Sequence, residues 1–134
     1  MRAVLAVGAL LWVAALLAFP AALFPAGRFI CHQRPERSFF VHAQQLPVCA
    51  RCTGLYAGAA LAGPLALLSL TTLSSIRARR VLIVAALPTA ITWTLEFSGV
   101  MPFSNAARFA AALPLGFAAA WLVLSTLARR ERMV

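Results

Sequence analysis

Arg51-Cys52-Thr53-Gly54-Leu55-Tyr56-Ala57-Gly58-Ala59-Ala60-Leu61-Ala62-Gly63-Pro64 opens a run that reaches Arg77 without another charged side chain. Its 25 uncharged positions exceed the roughly 20 that a helix needs to cross a hydrocarbon layer about 30 Å thick. This segment reads as a membrane span. Within it Gly54, Gly58 and Ala62 recur every four residues, which leaves one helix face smooth enough for close packing in lipid.

Working outward, Arg2 and Arg28 enclose another 25 uncharged residues, whereas Arg80 and Glu96 enclose only 15. A third span must therefore tilt, continue past the acid, or hold Glu96 near an interface. Residues 109–128 supply a fourth of normal length. The expectation is an all-α integral membrane bundle of about four transmembrane helices in one domain, residues 1–134. The spans lie near 3–25, 53–75, 81–98 and 108–128, and a Cys/His loop at 28–52 joins the first two. Pro64, Pro88 and Pro114 fall inside spans and predict kinks. The run ending in Phe19-Pro20-Ala21-Ala22 also resembles a cleavable secretory signal. An uncleaved helix is the expectation, because the run is longer than a signal's apolar region of roughly 7 to 15 residues.

Of the 134 residues 63% are hydrophobic and 11% charged, with a formal net charge of +9. A soluble domain carries roughly a quarter charged residues, so the partner expected is the lipid bilayer. All twelve basic residues are arginine. They are scattered and lack an aromatic stacking surface, so no nucleic-acid partner is expected. Arg2, Arg77, Arg79, Arg80, Arg129, Arg130 and Arg132 would share one face, against Arg28, Arg34, Arg37, Arg51 and Arg108 on the other. The excess predicts cytoplasmic termini and an extracytoplasmic loop in the plasma membrane.

All three cysteines and both histidines lie within residues 31–52. Cys49-Ala50-Arg51-Cys52 has the spacing with which two thiolates in a turn chelate one metal. Cys31 adds a third sulfur. His42 or His32 can complete the set; His42 is favoured because adjacent Cys31 and His32 seldom both face one ion. Zn²⁺ or another soft metal is the expected cofactor. The same residues suit a second chemistry. Thr53 and Gly54 open a helix whose N-terminal dipole stabilises a thiolate at Cys49 or Cys52, and Arg51 would lower the thiol pKa further. A membrane thiol oxidoreductase would use this dithiol, with Cys31 as exchange partner and a quinone as possible acceptor.

A polar network is also expected. Glu36 lies between Arg34 and Arg37, and Glu96, the only acid inside a span, has Arg108 as its natural partner, with Asn105 alongside. Pro35, Phe39 and Phe40 suggest a loop folded onto the bundle mouth. Gly54, Gly58 and Ala62 offer a surface for a partner helix or a second copy.

The segments Cys31-His32-Gln33, Pro35-Glu36-Arg37-Ser38-Phe39 and Leu46-Pro47-Val48-Cys49-Ala50-Arg51-Cys52-Thr53-Gly54 resemble the signature of the prokaryotic membrane-protein family called domain of unknown function 2085. The resemblance is strongest over residues 31–63 and extends through Glu96 and Ser104-Asn105-Ala106-Ala107-Arg108. It implies a small multi-span membrane protein with the Cys/His loop as its shared feature, and no reaction. The family tends to have glycine in its last helix where this chain has Ala111 and Ala112. The leading expectation is a metal-binding membrane protein rather than an enzyme. The oxidoreductase comes next, then a metal transporter or assembly subunit; no span carries the ladder of ligands that transport would need.

Overall fold

The computed structural model describes residues 1–68 and 74–131. Residues 69–73, which would end the expected second span, and 132–134, which include Arg132, lie outside the described residues. The chain is mostly helical, in the order α1 (Arg2–Ala18), α2 (Pro20–Gly27), β1 (Ser38–Val41), β2 (Gln44–Cys49), α3 (Ala50–Leu68), α4 (Ser75–Phe97) and α5 (Asn105–Glu131), with a 3₁₀ turn at Pro35–Arg37.

Among the described residues two helical stretches are long and apolar enough to cross a membrane, Ile76–Phe97 and Asn105–Glu131, and a third passes if the bent pair α1–α2 is one span, against the four expected. The third expected span is therefore longer than residues 81–98, because its helix runs on through Arg77, Arg79 and Arg80. The first is not one straight helix. The chain bends by 111° between Ala18 and Pro20, with Phe19 at φ −129° and ψ 52°. Clash with the proline ring disfavours helical backbone at the preceding residue, while Pro itself suits the first turn of a new helix. Pro64, Pro88 and Pro114, by contrast, sit within continuous helices.

The departure from an all-α fold is the antiparallel hairpin β1–β2, with Val41 opposite Gln44, Phe40 opposite Gln45, Ser38 opposite Cys49 and an irregularity between Ser38 and Phe40. Its two-residue turn, His42-Ala43, has φ of 49° and 63°, the left-handed geometry that matches strand twist in tight hairpins.

Helix α3 is the centre of the packing, with α5 on one side and α1 on the other, while α4 lies against α5. Small residues make this possible. A Cβ on Gly58 would stand 2.3 Å from the Leu113 carbonyl oxygen, and one on Gly54 2.4 Å from that of Phe109. Backbone meets backbone here. The smooth face is thus filled within the chain by α5, and Gly54 and Gly58 are not free for a second copy. Ala62, the third member, is buried. From the α5 side Gly116 makes the matching approach to Leu55, so this last helix does carry a packing glycine one turn beyond buried Ala111 and Ala112.

Elsewhere Trp12 meets Tyr56 edge-on between α1 and α3, and the Thr89 hydroxyl donates to the Ala111 carbonyl at 2.8 Å between α4 and α5. None of the apolar stretch of α4 is buried. Ile83, Val84, Leu87 and Ile91 are exposed, an arrangement that water would penalise and lipid would not.

Candidate metal centre

The loop at the mouth of the bundle is assembled by a set of close contacts. Gly27 ends α2 against β2, where a Cβ would stand 2.1 Å from the Pro47 carbonyl oxygen. One turn later the Cys31 N–H donates to the Gly27 carbonyl at 2.9 Å, which fixes Cys31 beside the end of β2. Gln33, at φ 50°, then ties the segments together. Its amide donates to the carbonyls of Phe24 at 2.6 Å and Pro47 at 2.9 Å, and its own carbonyl accepts from the Gln45 amide at 2.7 Å. Leu46, Pro47 and Val48 are buried beneath this lattice. Phe39 packs edge-on against Phe109, and the Asn105 amide donates to the Ser38 carbonyl at 2.9 Å, which ties β1 to α5.

These contacts bring together three free thiols from two separate segments. The sulfurs of Cys31, Cys49 and Cys52 all lie within 4.8 Å of one another, close enough to hold one metal ion. Cys49 directly precedes α3 and Cys52 lies in its first turn, with sulfurs 3.5 Å apart. The Cys49 N–H donates to Cys31 Sγ at 3.2 Å, the kind of hydrogen bond that stabilises negative charge on sulfur. A thiolate on Cys49 accepts a hydrogen bond from the Cys52 thiol. That bond, helped by the Cys52 backbone, the Cys31 thiol and the Arg51 N–H, holds its pKa down from 9.0 to about 5 against the opposing effect of burial.

Neither histidine belongs to this group among the described residues. His42, favoured on spacing, occupies the hairpin turn instead, because the tight pairing of Val41 with Gln44 leaves it at the tip. His32 lines the same cleft as Cys31 and Cys49.

Behind the thiols lies an ion-pair cluster. Arg51 Nη2 is 2.5 Å from Glu96 Oε2. Arg108 binds the other carboxylate oxygen through Nη2 and, at 2.8 Å, through Nε. Arg108 Nη1 donates to Asn105 Oδ1 at 2.6 Å and to the Glu36 carbonyl at 3.4 Å. The side chains of Glu96, Arg51 and Arg108 are only 7%, 15% and 11% exposed. Glu96 and Arg108 pair as expected, with Asn105 in the network. Arg51 departs from expectation: it acts on Cys49 through its backbone N–H, because Glu96 has claimed its guanidinium. The Glu36 side chain makes an exposed contact with Arg34 at 4.0 Å, a pair of little energetic worth. Arg37 lines the cleft.

Sequence reasoning missed Gln33 and Gln45 as organisers of the site. The only signal was the place of Gln33 directly after Cys31-His32.

The family described as "Predicted membrane protein (DUF2085)" matches residues 31–122, the stretch from the first cysteine into α5. An uncharacterised protein of Methanocaldococcus jannaschii is 33% identical over 104 residues, covering 76% of this chain and 66% of its own length. One of Methanothermobacter thermautotrophicus is 35% identical over 101 residues, covering 71% of this chain and 85% of its own length. No solved structure matches. With its cysteine loop, its ion-pair cluster, α3, α4 and the larger part of α5 inside the matched region, the chain belongs to the DUF2085 family of predicted membrane proteins.

Proposed function

We propose that the protein is a multi-pass membrane protein that binds one soft metal ion, Zn²⁺ foremost, through Cys31, Cys49 and Cys52, with His32, which lines the same cleft but stands outside the thiol group, turning in as the fourth ligand. The observation that carries this reading is the convergence of three free thiols within 4.8 Å from segments 18 residues apart in sequence. Three thiolates and one imidazole make a closed tetrahedral set for zinc. The lattice around Gln33 supports them, as hydrogen-bonded surroundings orient ligands at metal sites.

In this reading α1, α3, α4 and α5 cross the bilayer and α2 lies across the bundle mouth. Support for cytoplasmic termini in the plasma membrane comes from the joining of the chain ends. The Met1 amino group is 3.5 Å from Glu131, and Arg2 donates to the Ala66 carbonyl. Arg2, Arg129 and Arg130 thus gather at the end opposite the cysteines, as the excess of arginine on cytoplasmic faces would have it.

The Cys49–Cys52 sulfur distance of 3.5 Å favours one second reading, a thiol oxidoreductase. Oxidation of this dithiol to a disulfide releases two electrons and two protons, the amount a quinone takes up on becoming a quinol.

Metal content separates the two. Protein purified in mild detergent without chelator is expected to carry about one zinc per chain by mass spectrometry, and Cys49→Ser to lose it. Metal-free protein with a Cys49–Cys52 disulfide would instead establish the redox reading.

A further inference from the structure

Beside the thiols a cleft of about 440 Å³ is lined by Arg34, Arg37, Arg51 and Arg108, with Trp93 and Phe97 on one wall. Against these four cations stand two carboxylates, Glu96 and the exposed Glu36, which leaves two positive charges. Three thiolates on a divalent metal would take one and leave one. The cleft is basic with or without the metal.

Its donors are also under-used. Arg37, half-buried in the cleft wall, has no acid within ion-pair distance among them. An arginine in a cleft wall without an acidic partner keeps its donors for an anion that enters. The guanidinium fork of Arg37 suits the paired oxygens of a phosphate, and Glu96 holds Arg51 and Arg108 in fixed directions. Trp93 and Phe97 stack on each other 5.2 Å apart at the end of α4, and both are exposed beside the cleft. Such aromatic rings are favoured at the headgroup level of a bilayer.

We propose that this cleft is a phosphate-binding site, with Arg37 the principal unpaired donor and Arg34 at its rim. Its ligand is a phosphate group, carried either by free inorganic phosphate or by a lipid headgroup. The site does not depend on the metal reading.

Titration calorimetry on the full chain in mild detergent tests it with two probes, inorganic phosphate and a water-soluble short-chain phosphatidylglycerol. Saturable binding of either is expected. Arg37→Ala should weaken it about tenfold, the loss of one charge-assisted hydrogen bond, with metal content unchanged. Arg37→Lys, which keeps the charge and the fold but loses the fork, should bind several-fold more weakly than the native chain. Binding of phosphate as tight as that of the lipid assigns the site to the free ion, and binding of the lipid alone assigns it to a headgroup. No saturable binding of either probe, or binding that both Arg37 variants leave unchanged, would overturn the proposal.

Discussion

Glu96→Ala should destabilise the protein by about 3–5 kcal/mol, the usual cost of removing one partner from a buried ion pair. The effect belongs at the upper end because one carboxylate serves two arginines. Arg51 and Arg108 are largely buried and both end on Glu96, so the variant leaves two guanidinium groups with like charges facing each other. Arg51 sits between Cys49 and Cys52, and Arg108 anchors the carbonyl of Glu36. Loss of Glu96 therefore loosens the loop from two directions. Denaturant unfolding in detergent reads the stability. Adding Arg51→Met and Arg108→Met should recover much of the loss, since apolar replacement of a whole buried ion cluster is often neutral or better. A triple variant as unstable as Glu96→Ala would show that packing, not charge, underlies the effect.

Gly58→Leu should cost at least the ~3 kcal/mol at the top of the usual overpacking range. The new Cβ would meet the Leu113 carbonyl oxygen at 2.3 Å and the Phe117 nitrogen at 2.7 Å. Both are backbone atoms of α5, so relief requires moving a helix rather than turning a rotamer. Gly8→Leu is the contrasting case. Nothing lies within 4 Å of a Cβ there, and its effect should stay within about 0.5 kcal/mol. Helix propensity favours leucine over glycine at both positions, so a loss at Gly58 alone isolates the α3–α5 approach, and equal losses in the two variants would contradict it.

The uncharged runs marked the long helices because the cost of charge in lipid acts through composition, which sequence carries openly. Glu96 with Arg108 was legible for the same reason: an acid in a span needs a partner. Pro20 was legible too, but the apolar run around it has no charge to mark a boundary, and the bend at Phe19 follows from a local clash that hydropathy does not register. The hairpin and the place of His42 were hidden because His42-Ala43 lacks the Asn-Gly or Asp-Gly pair that marks such turns; tertiary pairing imposes the left-handed backbone. Arg51 was assigned to the thiols by adjacency, whereas its guanidinium reaches 45 residues along the chain to Glu96. The stripe of Gly54 and Gly58 correctly announced a close helix contact, and only the fold could name α5 as the helix it meets.

The most direct test of the proposed metal centre is X-ray absorption at the metal edge of protein purified without chelator. Three sulfur scatterers near the ~2.3 Å typical of zinc thiolates, with one nitrogen near ~2.0 Å, are the predicted first shell, and the nitrogen should vanish in His32→Ala while remaining in His42→Ala. A shell of light atoms with no sulfur, or protein without stoichiometric metal, would contradict the account.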